Sequence, residues 1–128
     1  MQDDRKSLGK WGEEQSCSFL EADGYRILRR NYKCRIGEID IIARKGEQLV
    51  FVEVKTRRTA SYGRPGEAVN YRKQAKLTGT ALYFLNDTGW KDVSCRFDVL
   101  EVKAQSDGTF LINHIEDAFQ AATGKYYY

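Results

Sequence analysis

At 128 residues the chain is long enough for one domain with a genuine core, so it needs no disulfide staples. A hydrophobic content of 41% with 12% aromatics excludes a disordered chain, and the net charge of +3 excludes a uniformly charged one. Three widely spaced cysteines, Cys17, Cys34 and Cys95, form no Cys-x-x-Cys pair, which argues against a disulfide framework and a structural zinc site. The start, MQDDRKSLGKWGEE, has no apolar secretion signal and no apolar run reaches membrane-spanning length. The expectation is a soluble, cytoplasmic protein with no membrane partner.

In chain order, residues 5–23 predict a helix. Leu8, Trp11, Gln15, Phe19 and Ala22 recur at three- and four-residue steps on one face, and Asp23-Gly24 stops it. Gly9 and Gly12 are poor helix formers and point to a close approach by sheet or phosphate backbone. Tyr25 to Tyr32 reads as a first strand. Residues 36–43 and 48–56 read as a hairpin turning through Arg44-Lys45-Gly46-Glu47. TRRTASYGRPG is a loop, and Pro65 suits the first turn of a second helix running to about Leu85. After the break at Asn86-Asp87-Thr88-Gly89, residues 96–103 predict a fourth strand, Ser106-Asp107-Gly108 a turn, TFLIN a fifth strand and IEDAFQ a short closing helix. The result is a single α/β domain over residues 1–128, in the order αβββαβ with a strand and a helix appended.

Two acidic residues interrupt the apolar runs of the hairpin. Asp40 lies between Ile39 and Ile41, and Glu53 lies between Val52 and Val54 with Lys55 next on the same strand face. Pairing the strands brings the carboxylates side by side, where burial and mutual repulsion call for a bound divalent cation with Lys55 alongside. An exposed cross-strand ion-pair ladder is the bland alternative. Residues 25–36 carry five cations and no acid, and residues 54–77 carry net +6, so two basic segments flank the acidic hairpin. Arg57, Arg58, Tyr62 and Arg64 combine guanidinium groups with an aromatic ring, a mixture suited to phosphate contacts and base stacking. His114 is the sole histidine and reads as structural, leaving no histidine-based metal or nucleophilic site. Asp98 reads as a partner of Arg96 or a cap on a neighbouring loop.

The order of elements, with an acid on the second strand and Glu-x-Lys on the third, resembles the core of the PD-(D/E)xK nuclease superfamily. The strings LGKWGEE, GYRILRRNYKCRIGEIDIIA, LVFVEVKTRR, YGRPGEAV, KQAKL and RFDVL together are similar to the bacterial YraN-like family of predicted endonucleases, distantly related to archaeal Holliday junction resolvases. The resemblance implies a restriction-endonuclease-like fold, with a mixed central sheet flanked by helices. It implies metal coordination by Asp40, Glu53, the Val54 carbonyl and Glu13, with magnesium or manganese as the ion. Lys55 would serve the attacking water, and Gln74, Lys73 and Lys76 on the following helix would face the scissile phosphate. The implied function is metal-dependent hydrolysis of branched or structured DNA, by a possible homodimer. A non-cleaving nucleic-acid-binding or scaffold protein and an RNA endonuclease remain the alternatives.

Overall fold

The computed structural model describes residues 4–58 and 69–121. It contains α1 (Asp4–Ala22), β1 (Arg26–Lys33), β2 (Glu38–Lys45), β3 (Gln48–Arg58), α2 (Tyr71–Thr88), β4 (Ser94–Ala104) and β5 (Phe110–Phe119). The five strands form one sheet in the order β1-β2-β3-β4-β5. All neighbours are antiparallel except β3 and β4, which run parallel across the α2 crossover from Gln48↔Ser94 to Arg58↔Ala104. This is the mixed α/β sheet expected from the sequence, with αβββαβ as its core order.

Strand alternation divides the core between two faces. On one, Ile42, Leu49, Phe51 and Val99 pack with Leu77, Ala81 and Phe84 of α2. On the other, Ile41, Val50, Val52 and Leu100 pack with Cys17 and Leu20 of α1. Apart from their acids, the runs EIDIIA and LVFVEV are apolar on both faces because both faces of these central strands are covered. Gly12 lets α1 settle on the sheet, since a Cβ there would lie 1.9 Å from the Thr56 Oγ1. The close approach expected at Gly12 is therefore made by β3, whereas a Cβ on Gly9 would meet nothing within 4 Å.

β2 and β3 run on to Lys45 and Arg58, into the expected turn and loop, and the larger differences from expectation lie at the second helix and the closing segment. The second helix begins at Tyr71, because Asn70 has extended backbone (φ −69°, ψ 165°) and its side chain accepts the Lys73 N–H at 2.8 Å. An asparagine N-cap thus sets the start, and Pro65 lies outside the described residues. At the other end Gly89, at φ 75°, caps the helix in the left-handed region and donates its N–H to the Leu85 carbonyl. The closing helix expected over IEDAFQ is instead the second half of β5, with Ile115 paired to Val99 and Phe119 to Phe97. Phe119 stacks on Phe97 with ring centroids 4.9 Å apart. Asp117, at φ 51°, marks an irregularity in that strand and turns its N–H onto Asp98 at 2.9 Å.

Candidate active site

Beyond the Ile41↔Val52 pair, β2 and β3 frame an open cleft of about 460 Å³ against the N-terminal half of α2. Asp40 and Glu53 line it, with Val54 between the strands and Lys73, Lys76 and Leu77 supplied by α2. The turn residues Ile36 and Gly37 and the strand residue Glu38 complete the wall. The sheet puts both acids here through simple alternation. Asp40 stands two residues before Ile42, and Glu53 two after Phe51, so each continues the α2-facing rows.

Asp40 Oδ2 accepts the Val54 N–H at 2.8 Å. Burial, followed by the Glu53 charge, pushes the Asp40 carboxyl from its ordinary 3.8 to about 8, against the opposing effect of the Val54 hydrogen bond. The Glu53 side chain is 11% exposed, and its Oε2 meets Lys73 Nζ at 3.2 Å. The two acids expected to lie side by side do so, close enough for the Glu53 charge to raise Asp40. The donor set is two carboxylate side chains, with Val54 also lining the cleft and cleft space for water. Hard oxygens of this kind suit an oxygen-preferring divalent cation and offer nothing to a thiophilic metal.

The remaining predicted residues are distributed less evenly. Lys55 is partly exposed on the same row as Glu53 and stands in parallel register with Glu101 of β4. Glu13 lies outside the cleft lining and accepts from Asn31 Nδ2 at 3.0 Å, yet its charge contributes to raising Asp40. Glu14, its neighbour, is exposed. Lys76 lines the cleft, whereas Gln74 donates its side-chain N–H to the Val69 carbonyl at 2.7 Å and is absent from the lining. Arg57 is half-buried and Arg58 exposed at the end of β3; Arg64 and Tyr62 lie outside the described residues.

Sequence reasoning missed Glu101, which is 1% exposed and accepts from Asn113 Nδ2 at 3.0 Å. The available signal was an acid in RFDVLEVK at the spacing that carries the α2-facing row. A second cluster lies on the α1 side. Asp98 is fully buried and accepts from Arg96 Nε at 2.9 Å and the Asp117 N–H at 2.9 Å, while His114 Nε2 lies 2.7 Å from it. Burial alone would raise the Asp98 carboxyl, but the hydrogen bonds from His114, Arg96 and Asp117 outweigh it and hold Asp98 below the ordinary range. Asp98, His114 and Glu116 bring ligand atoms within 4.8 Å of one another, so one histidine does suffice for a mixed metal-ligand geometry. Strand pairing supplies the two acids, which the count of histidines alone could not show. Arg96 already bridges Asp98 and Glu116, its Nη2 lying 3.0 Å from each, and also donates to the Tyr25 hydroxyl. A guanidinium in that position supplies the compensating charge, as expected for the Arg96–Asp98 pair.

Residues 12–102 match the family model described as "Uncharacterised protein family UPF0102". The chain belongs to UPF0102, the YraN-like family. It is 49% identical over 117 residues to the UPF0102 protein GSU0650 of Geobacter sulfurreducens, covering 91% of each. It is 48% identical over 116 residues to the UPF0102 protein STH1475 of Symbiobacterium thermophilum, covering 91% of this chain and 98% of that one. Among solved structures, Pyrococcus furiosus SfsA in complex with Ca2+ is similar at a TM-score of 0.41 and 16% identity, over 91% of this chain and 65% of that one. The matched UPF0102 span contains Glu13, Asp40, Glu53, Lys55 and both flanking basic segments.

Proposed function

We propose that this UPF0102 protein is a divalent-metal-dependent endonuclease that hydrolyses phosphodiester bonds of branched or structured DNA, with magnesium or manganese held by Asp40 and Glu53. One observation carries the reading. Two acids share an open cleft, and burial, followed by the Glu53 charge, pushes Asp40 to about 8. A cation bound there supplies Lewis-acid neutralisation of phosphoryl charge.

The side chains have separable tasks. Asp40 and Glu53 provide the anionic ligands, with the Val54 carbonyl as a third and Glu13 as a more distant supporting charge. Asp40 is fixed in direction by the Val54 N–H. Lys55, on the same strand row as Glu53, orients the attacking water and places positive charge where the phosphate gains negative charge. Lys73, which now neutralises Glu53, and Lys76 present ammonium groups to a phosphate entering along α2. Arg57 and Arg58 at the end of β3 add cationic charge for phosphate contacts, Arg64 is assigned the same role from the sequence, and Gln74 acts by fixing the start of α2 through Val69.

The Lys73–Glu53 ion pair favours a second reading, because it balances one carboxylate without any ion, as a non-cleaving nucleic-acid-binding protein would require. Cleavage of labelled junction, flap, duplex and single-stranded DNA, and of matched RNA, with and without manganese, separates these readings. Manganese-dependent cutting of branched DNA is expected. Lys55→Ala should bind DNA but lose about 10²–10³-fold in single-turnover rate. Binding without cutting by the native chain supports the second reading, and preferential cutting of RNA moves the substrate class.

A further inference from the structure

Resting on the nuclease reading above, we propose that Ile36 is a specificity residue: an apolar wedge that meets an unstacked DNA base beside the cleft and so favours branch points over continuous duplex. The turn from β1 to β2 closes by a hydrogen bond from the Cys34 N–H to the Gly37 carbonyl at 2.9 Å. It is pressed against α2 at two glycines. A Cβ on Gly79 would lie 3.1 Å from Ile36 Cγ2, and one on Gly37 would lie 3.2 Å from Thr80 Oγ1. The Cβ on Gly79 would also lie 3.4 Å from Ile36 Cδ1, so one edge of the side chain is seated on the helix while 44% of the residue stays open to solvent.

An exposed isoleucine alone is ordinary. This one also lines the carboxylate cleft, which none of the other large exposed apolar residues, Tyr71, Tyr83, Phe110 and Leu111, does among the described residues. Turns of this kind usually take Asn, Asp, Ser or Gly at their tips. Here the tip is branched and apolar, and its neighbours Lys33 and Arg35 are exposed cations, with Lys76 on the facing helix. Glu38 opposes them in part, lying 3.8 Å from Lys33 Nζ. A cationic rim recruits phosphate, and the apolar tip within it suits the flat face of a base. Continuous duplex hides those faces in its stack. A branch point, where stacking is broken, offers one beside the backbone.

The test uses full-length native protein, Ile36→Ala, and Ile36→Gln, which keeps a side chain of similar length at the turn but replaces its apolar surface with an amide. The readout is the ratio of manganese-supported cleavage of a four-way junction to that of one of its single strands. A second readout is the fluorescence of 2-aminopurine at the branch, measured on binding without added metal. Removing the apolar tip from one base should lower the ratio about tenfold in both variants, and the fluorescence rise seen with native protein should disappear. An unchanged ratio overturns the proposal, and so does an equal fall on both substrates, which would make Ile36 only an anchor of the turn. If native protein cuts neither substrate, the nuclease reading fails and fluorescence alone decides: an Ile36-dependent rise sustains the wedge, and its absence overturns it.

Discussion

Asp40 stores an electrostatic penalty that a cation would relieve. Its folded-state pKa lies above the unfolded value, about 8 against 3.8, so the folded chain holds a proton that the unfolded chain has already lost. The Asp40 contribution to stability is therefore most favourable below the lower value and is lost as pH rises through about 8. Asp40→Asn should keep an acceptor for the Val54 N–H while removing the charge. Without divalent ions it should stabilise the protein at pH 8.5 by about 1–3 kcal/mol and flatten the fall in stability between pH 5 and 8.5. Chemical denaturation at a series of pH values checks this, and a variant no more stable than native would show that the carboxylate is already compensated. Asp40 and Glu53 were legible in the sequence because each broke a run of β-branched residues. The Lys73 contact with Glu53 and the withdrawal of Gln74 were not, because they depend on how far α2 is rotated about its axis.

At the level of elements, packing overrode local signals in one place and agreed with them in most. IEDAFQ carries an acidic, helix-compatible pattern, yet pairing with β4 and the stacking of Phe119 on Phe97 draw it into β5. The Asp98 network then fixes that strand from both sides through Arg96, His114 and the Asp117 amide. Removing the carboxylate leaves the largely enclosed Arg96 with only the exposed Glu116 as an anionic partner among the described residues. Asp98→Ala should cost about 3–5 kcal/mol in urea unfolding regardless of manganese, which would separate its role from that of the cleft acids. A manganese-dependent effect would instead make Asp98, His114 and Glu116 a metal site. The α1–β3 contact gives a sharper steric case. Gly12→Ala places a methyl on Thr56 and should destabilise by about 1–3 kcal/mol, with part of the stability recovered by Thr56→Ala in the same chain. The helix pattern and paired glycines announced a close contact, but only the β3 register identifies Thr56 as its partner.

Across the whole molecule, charge is separated in space much as it is in sequence. Arg26, Arg29, Arg30, Lys33 and Arg35 are all exposed along β1, at one edge of the sheet, and in its turn to β2. The other basic segment leaves the sheet with Arg57 and Arg58 and returns with Arg72, Lys73 and Lys76 on α2. If the arginines at and beyond the end of β3 meet phosphates, replacing Arg57, Arg58 and Arg64 together by Ala should weaken binding to branched and linear DNA alike. It should also flatten the dependence of log affinity on log salt by about 1 for each phosphate no longer neutralised. An unchanged slope would transfer the DNA-binding role to the β1 edge. The order of elements and the cleft's acidic pair could be read from periodicity and interrupted apolar runs. The division into an α1 face and an α2 face required the strand pairing, since residues far apart in sequence complete each core.

Manganese binding is the most direct test of the central claim that Asp40 and Glu53 form a cation site. Calorimetric titration of native protein and of Glu53→Gln at pH 7, repeated in buffers of different ionisation enthalpy, would follow the ion and the Asp40 proton together. Native protein is predicted to bind one ion per cleft with release of up to one proton, because an Asp40 titrating at about 8 is largely protonated at the start. Glu53→Gln is predicted to lose most of that binding. Equal binding by both proteins, with no proton released by either, would contradict the assignment of the cleft as a metal site.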